Sequence, residues 1–330
     1  MSNPIKSVLV TGGAGIIGSH ISQECVRQGF RVRILDNLST GKMSRIASFK
    51  DKVEFIQGDI RNIDDCRRAL QGVDAVSHHA ALRSVPKSVD SPVESHAANA
   101  TGTLNMLVAS RETGVRRFVY ASSSSVYGDS RQFPQKESAA PAPVSPYAAS
   151  KLAGENYAVL FCKTFSLETV SLRYFNVFGP RQDPESLYSA VIPRFMEQAF
   201  KGEPLELHWD GKQSRDFTHV ANVVSANLLA FQARTGTGRT YNIANGKTTS
   251  LNTLIAAIEK IIGRKLSRIH HPKRKGDVRK TWADIGLARR VLGYKPSVAL
   301  DPGLRETWDY FVEGYFKSSP ETRHPQTISR

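Results

Sequence analysis

A phenol and an ammonium stand four residues apart in Tyr147-Ala148-Ala149-Ser150-Lys151. On a helix that spacing places both side chains on one face, close in space. A free tyrosine ionises near pH ~10, and a neighbouring cation favours its phenolate, bringing the group toward the working range of a general base. The spacing alone is common by chance. It gains weight from Ser122-Ser123-Ser124-Ser125-Val126-Tyr127-Gly128, a run of hydroxyls that ends an apolar stretch with strand character. A hydroxyl there could hold a substrate alcohol beside Tyr147, so the pair of motifs points to proton transfer at an alcohol.

A second constellation lies near the start of the chain. Thr11-Gly12-Gly13-Ala14-Gly15-Ile16-Ile17-Gly18 puts glycines where a first strand turns into a first helix. Backbone can approach a pyrophosphate closely there, and the helix dipole can receive its charge. Asp36 closes the next apolar run; a carboxylate at that point accepts hydrogen bonds from both ribose hydroxyls and repels a 2'-phosphate. NAD is therefore preferred over NADP, and a nicotinamide charge would join Lys151 in favouring phenolate at Tyr147. Asp59 and Ile60, after the third apolar run, are candidates for contact with the adenine.

The elements that must position these groups are legible as an alternation. Ser7 to Thr11, Arg31 to Asp36, Val53 to Gln57, Ala75 to His79, Phe118 to Ser122 and Thr169 to Arg173 read as buried strands, with Ile16 to Gln28 and later segments as crossover helices. Such alternation predicts an α/β protein with a Rossmann-type doubly wound parallel sheet covered on both faces. After Asn176 the repeat loosens and Gly179-Pro180 breaks the chain. A second, smaller α/β domain is expected from there, interleaved with the first. Residues 1–176 and about 216–245 would form the cofactor domain, 177–215 and about 246–316 the substrate domain, and 317–330 a polar tail.

These motifs together resemble the extended short-chain dehydrogenase/reductase family over nearly the whole chain. Within it the sequence is most similar to UDP-sugar 4-epimerases, through Asp36-Asn37-Leu38-Ser39-Thr40-Gly41, His79-Ala80-Ala81, Asn99 with Gly102-Thr103-Leu104-Asn105, and Arg173-Tyr174-Phe175-Asn176-Val177-Phe178-Gly179-Pro180. The resemblance implies Ser123 as catalytic hydroxyl, to within one position of the serine run, with Tyr147 as base and Lys151 beside it. It implies NAD contacts from Gly12, Gly15, Ile16, Ile17, Gly18, Asp36, Asn37, Ser39, Thr40, Gly41, Asp59, Ile60, His79, Ala80, Ala81, Asn99, Tyr147, Lys151 and Tyr174. In the implied reaction Tyr147 takes the C4 hydroxyl proton while hydride passes to NAD, and the resulting 4-keto sugar turns and is reduced on its other face.

The same resemblance assigns the substrate side. Arg215 and Arg274 match the arginines that grip the UDP diphosphate, Asp277 lies near the uridine ribose, and Asn176 matches a further phosphate contact. Tyr188-Ser189-Ala190-Val191-Ile192-Pro193 and Ser84-Val85-Pro86 are similar to the group acting on N-acetylated UDP-sugars, with Ser84 and Val191 as sugar contacts. Thr281, before Trp282-Ala283-Asp284, aligns with the gatekeeper whose bulk excludes an N-acetyl group. The expected reaction is therefore interconversion of UDP-GlcNAc and UDP-GalNAc, with UDP-Glc and UDP-Gal beside them. Epimerisation of a UDP-uronic acid stays open. Dehydratases and decarboxylases carry an acidic residue before Val-Tyr-Gly where this chain has Ser125, and a silent NAD-binding regulator would usually have lost Tyr147 or Lys151. A homodimer through helices near Asn99 to Glu112 and Tyr147 to Phe165 is implied as well.

Composition sets outer bounds. A chain of 330 residues with 40% hydrophobic and 23% charged residues can bury a sizeable core. Cys25, Cys66 and Cys162 show no paired spacing, so a cytoplasmic, metal-free protein is expected, and neither a signal peptide nor an apolar run of about 20 residues is seen. The net charge of +15 invites a nucleic-acid reading. Its basic residues are scattered in pairs apart from the run Lys273 to Lys280, which favours solubility or an anionic small substrate, and no nucleic-acid partner is expected.

Overall fold

The computed structural model describes residues 4–183, 190–273 and 278–316. The sequence assignments at Tyr188, Ser189, Arg274 and Asp277, and the tail 317–330, lie outside the described residues.

Seven parallel strands form the central sheet: β1 (Ser7–Thr11), β2 (Arg31–Asp36), β3 (Val53–Gln57), β4 (Ala75–His78), β5 (Arg117–Ser123), β6 (Glu168–Tyr174) and β7 (Arg239–Ile243). Their order is β7-β6-β5-β4-β1-β2-β3. Each expected strand lies within a residue of its predicted ends, because a parallel strand covered on both faces is a nearly continuous apolar run. Successive residues point to opposite faces: Val8 and Val10 join one buried cluster and Leu9 the other. Helix α1 (Ile16–Arg27) covers the first face; α2 (Ile63–Leu70), α3 (Gly102–Glu112) and α4 (Pro146–Phe165) cover the second. The strand order reverses at β1, between β2 and β4, and the crevice beyond the carboxyl ends of the strands is where open sheets of this kind take ligands.

Beyond β6 the chain leaves the sheet. Helix α5 (Val191–Lys201), the parallel strand pair Leu205–His208 with Arg268–His271, helix α7 (Leu251–Ile262) and helix α9 (Leu300–Tyr310) surround a third apolar cluster that includes Phe178, Phe195, Met196, Leu254 and Phe311. Between them α6 (Val220–Gln232) and β7 return to the sheet, where Tyr241 pairs with Leu172. The expected division near residue 246 needs one correction. Ala283, Ile285, Ala288, Leu292 and Tyr294, including part of helix α8 (Gly286–Leu292), pack into the first cluster beside Tyr241 and Ile243. The chain therefore crosses back to the sheet once more than the sequence pattern indicated. Among the described residues no helix is long and apolar enough to cross a membrane.

Candidate active site

The glycine-rich turn is shaped by close approach. Gly12 has φ +66°, and a Cβ there would lie 2.8 Å from the Ala80 amide; one on Gly18 would lie 2.2 Å from the Gly12 carbonyl. The first turn of α1 carries no acidic side chain, and Gly15 at its N-cap supplies no side-chain acceptor, so its amides face the crevice uncapped. Asp36 is buried, accepting from the Ala14 amide at 2.9 Å and the Leu38 amide at 2.8 Å. These bonds bring the end of β2 against the turn, with Gly41 packed on the carboxylate. Asn37 donates to Asp59 at 2.9 Å and turns the loop through its bond from the Ser39 amide. Asp59 also pairs with Arg61, whose hydrogen bonds hold its carboxyl down to about 2.

Other expected cofactor residues divide into two kinds. His79 and Tyr174 stack in parallel, centroids 5.9 Å apart, and Asn227 donates to the Tyr174 hydroxyl at 2.9 Å. The amides of His79 and Ala80 donate to the Thr11 hydroxyl, fixing that loop over the turn. Asn99 is buried and engaged on both amide atoms: it accepts from the Leu82 amide and donates to the Leu82 carbonyl and the Ser150 hydroxyl. Its part is to tie the loop after Ala81 to α4. Ile60 is likewise buried in the core and packs against Gly102, so its side chain belongs to that packing.

Helix α4 begins with Ser145 capping the Ala148 amide and Pro146 in its first turn, which fixes Tyr147 at the open end. The Tyr147 amide donates to Ser88, anchoring the short helix Val85–Asp90 that Ser84 caps. At the end of β5 the serines part company. Ser122 turns inward and donates to Glu155, whereas the Ser123 hydroxyl accepts from the amide and hydroxyl of Ser125. One residue of strand register thus separates an inward hydroxyl from one at the end of the strand, which favours the ionised form of the Tyr147 phenol.

Electrostatics at this end depart from the sequence expectation. Burial pushes the Tyr147 phenol above its ordinary value, opposed by the Ser123 hydrogen bond and the Arg83 charge. Lys151 is buried, donates to the Ala121 carbonyl at 3.0 Å and lies 5.1 Å over the Tyr120 ring. Burial lowers its ammonium to about 8, against the attraction of Glu155. The protein's own groups therefore leave Tyr147 raised, and the lowering foreseen from the Tyr147–Lys151 spacing has no counterpart among them.

Behind these residues lies a network the sequence reading did not single out. Glu155, one turn after Lys151, accepts two hydrogen bonds from Arg173, at 2.7 and 2.8 Å, with both side chains about 95% buried. Arg173 lies 4.7 Å over the Tyr127 ring, and the Tyr127 hydroxyl donates to Asn242 on β7 at 2.7 Å. Glu155 was detectable as a carboxylate on the Tyr147–Lys151 face of the same helix.

On the substrate side, Asn176 holds a left-handed backbone, φ 34°, and its amide donates to the Thr281 hydroxyl at 2.8 Å and the Asp216 carbonyl at 3.2 Å. Asp216 is buried, accepting from the amides of Asn245 and Ala283, and burial raises its carboxyl to about 7. Arg215 lies next to it, in a two-residue strand paired with Thr249–Ser250. Val191 begins α5 and packs on the third cluster. The structure thus brings Asn176, Arg215 and Thr281 together.

Residues 8–244 match the NAD dependent epimerase/dehydratase family. The chain belongs to that family. Among relatives of this family member, a putative UDP-glucose 4-epimerase of Methanocaldococcus jannaschii is 38% identical over 300 residues, 90% of this chain and 96% of that one. A UDP-N-acetylglucosamine 4-epimerase from Methanobrevibacter ruminantium, solved in complex with UDP-N-acetylmuramic acid, superposes with TM-score 0.90 at 36% identity, covering 94% and 99% of the two chains. A UDP-glucuronic acid 4-epimerase from Bacillus cereus, solved with UDP-glucuronic acid and NAD, gives 0.86 at 32% identity over 93% and 99%. The epimerase family member is an NAD-dependent enzyme, and its turn fits that cofactor: the glycines leave no room for side chains, and the first turn of α1 carries neither an acidic side chain nor a side-chain cap.

Proposed function

We propose that this protein is a UDP-sugar 4-epimerase acting on UDP-GlcNAc and UDP-GalNAc, with UDP-Glc and UDP-Gal as further substrates. The observation that carries the reading is the convergence, at the carboxyl edge of the sheet, of Ser123 at the end of β5, Tyr147 in the first turn of α4 and the buried Lys151 ammonium one turn on, at the same edge as the glycine-rich turn. When bound, NAD supplies the hydride acceptor and returns the hydride. As phenolate, the form that the charge of bound nicotinamide would favour, Tyr147 takes the proton from the sugar's C4 hydroxyl as that carbon is oxidised, and gives it back when the 4-keto sugar is reduced from its other face. Ser123 holds the C4 oxygen in line with the phenol. Lys151, an ammonium below pH about 8, supplies positive potential beneath the site.

Arg215, Arg274 and Asp277 are proposed to hold the UDP group. Thr281, a small side chain held against Asn176, leaves room for an N-acetyl group. Gly12, Gly15, Ile16, Ile17 and Gly18 are proposed to face the pyrophosphate, and Asp36, Asn37, Ser39, Thr40 and Gly41 the adenosine ribose. We further propose a division into a cofactor domain and a substrate domain, and a homodimer through α3 and α4, where Leu160 and Phe165 are exposed.

The test is incubation of purified protein with UDP-GlcNAc and, separately, UDP-Glc without added cofactor, resolving the products by chromatography. The C4 epimer of each is expected, UDP-GalNAc and UDP-Gal. No epimer from either sugar, with NAD supplied, refutes the reading; turnover of UDP-glucuronic acid alone would transfer it to a uronic acid.

A further inference from the structure

Three segments distant in sequence meet at Arg45. Its Nη1 donates to the carbonyl of Ala14 in the glycine-rich turn and to that of Thr40 in the loop after β2, each at 3.2 Å, while its Nε donates to the Arg181 carbonyl at 3.0 Å. Arg181 stands just past Gly179-Pro180, where the chain has left the sheet for the substrate side, and holds a left-handed backbone at φ 65°. Its guanidinium donates to Gln23 on α1 and lies 5.9 Å over Phe49. On either side the segment is fastened again: the Pro180 carbonyl lies 3.1 Å from His20 Nε2, and Asp183 pairs with Lys42 at 2.6 Å. The Lys42 amide in turn donates to the Ala14 carbonyl. Residues 180–183 thus lie across the loop of residues 40–45 and the flank of α1.

This arrangement costs something. Burial holds the guanidinium groups of Arg45 and Arg181 below their usual range, and the charge of Arg45 lowers that of Arg181 further. Proton transfer at Tyr147 draws on none of it. What the contacts do is mechanical: the loop that follows Asp36 cannot lift from the glycine-rich turn without Arg45 leaving the carbonyls of Ala14 and Arg181 and Lys42 leaving Asp183. NAD, if held by residues of that loop and of the turn, would be retained by the same bonds.

We propose that Arg45, braced by the Arg181–Asp183 segment, is a positioning residue that holds the loop after β2 on the glycine-rich turn and thereby keeps NAD bound from one turnover to the next. The proposal rests on the reading that the enzyme reduces and reoxidises one resident NAD. Because the brace continues from the Asn176–Gly179 segment, the hold on the cofactor is tied to the substrate side.

The experiment measures the NAD content of the purified full-length protein and the rate at which that NAD exchanges with labelled NAD. Arg45→Met keeps the apolar stem and removes the donors; exchange at least about tenfold faster is expected, which the loss of one charge-assisted hydrogen bond suffices to produce. Asp183→Asn, a milder change should Arg45→Met fail to fold, is expected to speed exchange several-fold. For either variant the melting temperature of the NAD-loaded protein should fall further below its parent's than that of the cofactor-stripped protein does. Exchange at the parental rate overturns the clasp. So does faster exchange accompanied by a matching loss of stability in the stripped protein, since the contacts would then serve the fold. A parent protein that neither retains nor takes up NAD would refute the cofactor reading itself, and the clasp with it.

Discussion

Replacing Glu155 by glutamine probes the charge network behind the site. Arg173 makes two hydrogen bonds to Glu155 with both side chains almost wholly buried, so the substitution leaves a guanidinium in a dry interior facing a neutral amide. Breaking such a pair from one side costs about 3–5 kcal/mol. The amide keeps an acceptor for one of the two bonds, which places the cost near the lower end, about 3 kcal/mol. At roughly 2.1 cal/mol/K of unfolding entropy per residue, a chain of 330 residues converts that into a midpoint lower by about 4 °C. A second effect is specific to the site. Glu155 raises the Lys151 ammonium, which burial holds at about 8; without its charge Lys151 loses its proton at lower pH. If activity needs the ammonium, the rate falls as pH rises through that value, and this alkaline limb should move toward acid in Glu155→Gln. The assay is a pH–rate profile of epimerisation alongside thermal unfolding of both proteins. An unmoved alkaline limb would refute the electrostatic argument, and an unmoved midpoint the energetic one.

Tyr147→Phe should lower kcat by about 10²–10⁴-fold, because it removes the proton carrier; retention of more than a tenth of the activity would transfer the base role elsewhere. Thr281→Tyr fills the space beside Asn176 and should reduce turnover of UDP-GlcNAc at least about tenfold more than that of UDP-Glc. Equal losses on the two sugars would sink the gatekeeper assignment. In acid, His20 and His219 are held by burial to about 4 and His79 to about 3, so the unfolded chain takes up protons from about pH 6.5 that the folded one refuses. Stability should therefore fall between pH 6.5 and 4. Asp216, raised to about 7, acts in the opposite direction over the same range, and three histidines outweigh it. A melting temperature that rises from pH 6.5 to 4.5 would contradict this sign.

What could be read from the sequence and what could not follow from range. β1 to β6 are short apolar runs between turns, and their two-sided burial depends only on neighbouring residues, so their ends are recovered within a residue. Gly12 and Asp36 are legible for the same reason, being set by a local turn and a strand end. Ser122 and Ser123 are not separable by type; strand register sends the first to Glu155 and the second to Tyr147. The raised Tyr147 could not be anticipated, because spacing from Lys151 says nothing of burial or of the Ala121 carbonyl that engages the ammonium. Asn99 has the chemistry of a ligand contact, and nothing in its type foretells the bonds to Leu82 and Ser150 that fix its amide. The return of Ala283 to Tyr294 to the first core, and the meeting of Arg45 with Arg181, join residues far apart in the chain and left no periodic trace.

The return of β7 to the sheet bears on how the protein is made. Strand β6 ends at Tyr174, but its outer neighbour begins only at Arg239, after the whole first excursion through the third cluster. During synthesis the hydrogen-bonding edge of β6 therefore stands open while that excursion is made. Long-range parallel pairing of this kind forms slowly, and an unpaired edge is a template for another chain. Residues 177–238 and β7 must be delivered before the edge closes, so a ribosome stalled or a chain cut within them yields a sheet whose buried strand is exposed. Such truncated products are expected to aggregate, whichever cofactor is present.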